Sequence, residues 1–169
     1  NLSWETLEGV VKHNGAIQNR CEVCPAIAEI DAKLDLKLEH HPSAEAQLAN
    51  LADDIAYLSH DFDDALRAGL FAIDDIRQLP QVGAALIEIE SNHGVLELGR
   101  MTHELVRRLI SVFVEDMLAA SNANLASLRA THPDDIRNHE TPVICFSANM
   151  AADLETLRGY LFKNMWRHY

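Results

Sequence analysis

From Ser43 to Leu70, apolar and polar positions alternate with the period of an α-helix. At about 100° per residue, Leu48, Leu51, Ile55, Leu58, Phe62 and Leu66 fall on one side. Asp53, Tyr57, His60, Asp61 and Asp64 fall roughly opposite. Ser43 follows the break His40-His41-Pro42 and suits an N-cap, and Gly69 suits a C-terminal stop. A solvated helix face usually mixes Lys with Glu, but this one carries no cation until Arg67. Carboxylates on one stripe repel by a few tenths of a kcal/mol per i,i+4 pair. A metal ion or a hydroxyl-rich ligand would offset that.

The remaining pattern is also helical. Residues 3–12 read as the end of a helix with Leu7, Val10 and Val11 inward, and 13–25 as a loop marked by Asn14-Gly15 and Pro25. Residues 26–38 are weakly helical through Ile27, Ile30, Leu34 and Leu38. Short helices are expected at 71–78, ended by Pro80, and at 81–91, ended by Asn92-His93-Gly94. A second long helix is expected at 98–124, carrying Met101, Leu105, Leu109, Val112 and Met117. Residues 129–141 read as loop and Val143 to Phe146 as an extended stretch. Ser147 caps a last helix with Leu154, Leu157, Leu161 and Met165 inward. The fold class is all-α, with no repeat and no linker.

Composition narrows the functions. A chain of 169 residues is long enough for a sizeable core. Its net charge of −12 argues against non-specific binding to nucleic acid or anionic membrane. No window approaches the roughly 18 apolar residues of a membrane span, and no signal peptide is visible. Three cysteines, an odd count, fit a reducing cytoplasm better than a disulfide framework. Cys21-x-x-Cys24 with His13 nearby invites a zinc reading, but a structural zinc site needs four ligands and no second pair exists.

Several segments carry a resemblance. Asp53-Asp54-Ile55-Ala56-Tyr57, His60-Asp61 and Asp63 to Leu70 resemble the last metal-ligand helix of the HD-domain deoxynucleoside triphosphate triphosphohydrolases, the bacterial dGTPase-like enzymes. Trp4-Glu5-Thr6-Leu7-Glu8-Gly9 through Gly15 resembles the segment that follows the family's His-Asp doublet. His103 to Ile110, running on to Val114-Glu115-Asp116, resembles a later helix. Pro142 to Ser147 and Leu161 to His168 resemble the C-terminal region. The matches keep their order along nearly the whole chain.

The resemblance implies a partial HD-type helical bundle with a helical extension: residues 1–70 as the C-terminal part of a catalytic domain and 71–169 packed on it. It implies hydrolysis of a deoxynucleoside triphosphate to deoxynucleoside and tripolyphosphate, with Mg²⁺ or Mn²⁺, in a cytoplasmic homo-oligomer. Asp53 matches the last metal ligand, which makes it the expected catalytic residue. Tyr57 matches a tyrosine facing phosphate and sugar. Asp61 matches an aspartate that hydrogen-bonds the sugar 3′-hydroxyl. Taken alone, Asp53 reads as a surface acid, Tyr57 as a half-buried helix tyrosine and Asp61 as a solvated acid.

The family's first His and His-Asp doublet lie upstream of the Trp4 segment. The chain is therefore expected to correspond to a C-terminal portion without a complete metal site, with family sequence continuing past Tyr169. Lys12 can reach a phosphate as a point charge or simply end its helix. Asp54 can orient a ligand or form a salt bridge, and Arg100, Arg107 and Arg108 are further phosphate candidates that read more readily as solvated or subunit-bridging. Two rival readings stand beside the enzyme: a non-catalytic helical assembly or regulatory fragment, and an HD phosphohydrolase acting on another nucleotide.

Overall fold

In the computed structural model, residues 2–19 and 23–167 are described. Among them the regular structure is entirely helical: α1 Trp4–Val11, α2 Pro25–Leu34, α3 Ala44–Ala68, α4 Ile73–Ile76, α5 Val82–His93, α6 Leu98–Leu128, α7 Pro133–Arg137 and α8 Ala148–Leu161. A π-helical turn, Phe162–Trp166, continues α8. The all-α reading holds.

Local chemistry sets the helix ends. The Ser43 hydroxyl accepts from the Ala46 N–H at 3.3 Å and opens α3. Gly69, at φ 69°, closes it. Its N–H donates to Leu66 and that of Leu70 to Ala65, the paired bonds of a left-handed C-terminal cap. α7 lies inside the expected loop. Pro133 fills its first turn, and Asp135 Oδ2 accepts from the His132 N–H at 2.9 Å.

The chain forms two compact units. The first comprises residues 1–52 and 119–145, the second 53–118 and 146–169. This division differs from a cut at residue 70, because 53–118 lies within one unit.

In the first unit, α2 stops at Leu34, and Asp35 and Lys37 take left-handed backbone conformations. That turn buries Leu36 and Leu38 and leaves Leu34 exposed, so the helical spacing does not extend to Leu38. Trp4 Nε1 donates to the Leu34 carbonyl at 3.0 Å, satisfying a helix-end acceptor. Val143 and Ile144 form a bend rather than the expected extended stretch, and side chains serve the backbone from Val143 to Cys145. Gln47 Oε1 accepts from the N–H groups of Val143 and Ile144 at 2.9 and 3.0 Å. Asn124 Nδ2 donates to the Val143 carbonyl at 3.1 Å, and Ser121 Oγ accepts from the Cys145 N–H at 3.1 Å.

The second unit holds most of the apolar core. Ile55, Leu58, Phe62 and Leu66 of α3 are buried, as are Met101, Leu105, Leu109, Phe113 and Met117 of α6 and Leu154, Leu157 and Leu161 of α8. Burying each such side chain contributes roughly 1.5–3 kcal/mol. Gly83 brings α5 against the Arg77 carbonyl, where a Cβ would clash. α8 begins at Ser147, whose hydroxyl donates to Asp116 Oδ1 at 2.7 Å and accepts from the Met150 N–H at 3.2 Å.

Candidate active site

The polar stripe of α3 survives in three dimensions with one internal distinction. Asp53, His60 and Asp64 are exposed, and Tyr57 is 59% exposed. Asp61 is 8% exposed. On the helical wheel Asp61 lies about 40° from exposed Tyr57 and about 40° from buried Ala65. It therefore stands at the seam between the stripe and the core.

Residues from the end of α8 cover that seam. Trp166 Nε1 donates to Asp61 Oδ2 at 2.8 Å. Its ring meets Tyr57 at 5.9 Å between centroids and Phe162 edge-on at 6.2 Å. Two turns back from Asp61 on α3, Asp54 Oδ2 accepts from Arg158 Nη2 at 3.1 Å. Seven residues of α3 and eight of α8 and its π-turn separate these two bonds, so both segments run the same way along this flank. Asp54 thus forms a salt bridge.

Burial pushes the Asp61 carboxyl above the ordinary carboxylate range, against the opposing pull of the Trp166 N–H. Asp64 adds to the rise and His60 subtracts from it. A proton is thus held at Asp61 more readily than at a free aspartate.

Asp53 and Asp61 are eight residues apart, about 12 Å along the helix axis. They cannot grip the same atom, but they can touch different parts of one elongated ligand. A carboxylate accepts hydrogen bonds from hydroxyls, and a phenol donates to a phosphate. Among the described residues, no three His, Cys, Asp or Glu side chains gather to hold a metal ion. Asp53 can supply one carboxylate, which falls short of a metal site.

Lys12 is placed elsewhere, in the first unit, with its side chain 0% exposed. Its ammonium lies 2.9 Å from Glu8 Oε1 and donates to the carbonyls of Lys37, His40 and His41 at 3.1, 3.2 and 3.3 Å. All of these are acceptors within the protein.

Several other sequence candidates have partners within the protein. Arg107 pairs with Glu104 and Arg108 with Glu88. His13 Nδ1 lies 2.8 Å from the Val10 carbonyl. Cys24 is exposed, and Cys21, the other half of the zinc reading, lies outside the described residues. No described helix is long and apolar enough to cross a membrane.

Sequence reading missed Trp166. Its contact with Asp61 spans 105 residues, and no local periodicity announces such a pairing.

An all-α protein bearing a carboxylate–phenol–carboxylate stripe is what this geometry defines. No family model matches the chain. It is 44% identical over 167 residues to a deoxyguanosinetriphosphate triphosphohydrolase-like protein of Paracoccus denitrificans, covering 99% of the chain and 44% of that protein. A Bradyrhizobium protein of the same description is 42% identical, with 99% and 43% covered. One from Caulobacter vibrioides is 43% identical, with 100% and 43% covered. The chain spans less than half the length of these relatives. Over the segment it spans, the chain is homologous to proteins described as deoxyguanosinetriphosphate triphosphohydrolase-like.

Proposed function

We propose that this chain forms one wall of the nucleotide site of a deoxynucleoside triphosphate triphosphohydrolase. In that reaction, water adds to the α-phosphorus and the bond from that phosphorus to O5′ breaks. A proton from the water passes to O5′, giving deoxynucleoside and tripolyphosphate. Asp61 accepts a hydrogen bond from the sugar 3′-hydroxyl, Tyr57 faces sugar and phosphate, and Asp53 would supply one carboxylate to a divalent metal that needs further ligands beside it. Fixing the nucleotide by groups spaced along one helix contributes through positioning. Lys12 enters as a structural residue of α1, because its donors are already engaged within the protein.

The observation that carries this reading is the coincidence of homology along nearly all of this chain with the polar stripe of α3. A second reading, a helical module without chemistry of its own, draws on the lack of a metal-holding cluster among the described residues.

Hydrolysis of dGTP by the complete protein with Mn²⁺ or Mg²⁺, resolving tripolyphosphate from pyrophosphate and phosphate, tests the proposal. Tripolyphosphate release that vanishes in Asp53→Ala is expected. Unchanged turnover in that variant rejects the role of Asp53, and absence of tripolyphosphate rejects the reaction.

A further inference from the structure

The π-helical turn after α8 lies outside every role assigned so far, yet it places an indole on the stripe. We infer that Trp166 is a positioning residue for the deoxynucleoside: through its hydrogen bond to Asp61 Oδ2 and its ring contact with Tyr57 it holds both side chains in the arrangement that receives the sugar. This rests on the nucleotide reading of Asp61 and deepens it.

Three observations support the inference. The bond is short, at 2.8 Å, and joins an N–H to a carboxylate, the stronger class of hydrogen bond. An indole N–H uses one of roughly four acceptor sites on a carboxylate, so the group remains able to accept a hydroxyl. The same ring touches Tyr57 one turn earlier, so one side chain braces two neighbours on the stripe. A π-turn is an uncommon way to end a helix and is frequent at functional sites. Here it carries Trp166.

Trp166 is 38% exposed, so replacing its ring with phenylalanine removes the N–H without hollowing a core. The bond also holds the carboxylate form of Asp61, whose other charged neighbours are His60 and Asp64 on α3 itself. Losing the N–H raises the carboxyl's proton affinity, and a matching move in the pH dependence of kcat/KM is a readout that a purely structural role would not give.

The test compares dGTP with its 2′,3′-dideoxy analogue in the complete protein, for wild type, Trp166→Phe and Asp61→Asn. Melting temperature confirms that each variant is folded. Trp166→Phe is expected to raise KM for dGTP about tenfold, the worth of a hydrogen bond to a charged group, with a smaller change in kcat. It should shrink the preference for dGTP over the dideoxy analogue and move the acid limb of kcat/KM to higher pH. If Asp61→Asn loses the preference while Trp166→Phe keeps wild-type KM, preference and pH profile, the Trp166 inference is overturned and the nucleotide reading stands. If Asp61→Asn keeps the preference, the 3′-hydroxyl reading of Asp61 fails and the inference falls with it.

Discussion

Arg137 grips Glu8 with two parallel bonds, Nε to Oε1 at 2.9 Å and Nη2 to Oε2 at 2.8 Å, across 129 residues of sequence. Both side chains are buried, and Lys12 reaches the same carboxylate. The Arg137 guanidinium also lies 5.1 Å from the centre of the Trp4 ring. One carboxylate therefore serves two buried cations.

Glu8→Gln removes the carboxylate that Lys12 and Arg137 share, leaving Arg137 its bond to Asp134 Oδ1 at 3.2 Å. It is expected to destabilise the chain by about 3–5 kcal/mol, read as a lower denaturant midpoint. Burial pushes the Glu8 carboxyl up, but hydrogen bonds from Arg137 and Lys12 win and hold it below its ordinary 4.5. The unfolded chain thus takes up the proton first as pH falls. The stabilisation from Glu8 is present above about pH 4.5 and is lost as pH drops through the depressed native value. In Glu8→Gln, acid unfolding should lose that component.

Asp61 has the opposite sign. Its native proton affinity is raised, so the folded state binds a proton more readily than the unfolded chain. Stability should fall as pH climbs from the ordinary 3.8 through the raised native value, and remain lower above it. Asp61→Asn removes that slope. Melting temperatures of the two proteins across this window check the expectation, and parallel curves would refute it.

The Ser59 hydroxyl is buried and has no hydrogen-bond partner among the described residues. Ser59→Ala removes an unsatisfied polar group and improves helix propensity. It should be neutral or stabilising by about 1 kcal/mol in a urea titration.

Gly69 takes φ 69°, where an added Cβ strains the backbone although the space beside it is open. Gly69→Ala should cost about 1–2 kcal/mol by denaturant midpoint. Gly69→Asn should cost less, because asparagine tolerates this conformation better.

Much of the helical framework is legible from periodicity and caps. The buried side of α3 from Ile55 to Leu66, the cap at Ser147 and the stop at Gly69 follow from residue type and spacing. Periodicity fails where backbone geometry intervenes. α2 ends in a left-handed turn at Asp35, so Leu36 joins Leu38 inside while Leu34 faces out. On α6 the register favours Phe113 over Val112. α7 went unrecognised because it is short and polar, although Pro133 and Asp135 carry its signal. The stripe of Asp53, Tyr57 and Asp61 is visible in sequence, because one helix carries all three. The engagement of Lys12 and the bond from Trp166 depend on chain segments 25 to 105 residues away, which local patterns do not reveal.

The surroundings of Lys12, one carboxylate oxygen and three carbonyls, resemble the oxygen cage of an alkali-metal ion. The turn from Lys37 to His41 is thus assembled around a cation that α1 carries on a covalent tether. Such a turn draws its central charge from its own sequence, so its geometry owes nothing to the ionic composition of the solution, and it forms only when α1 is in place to deliver that charge.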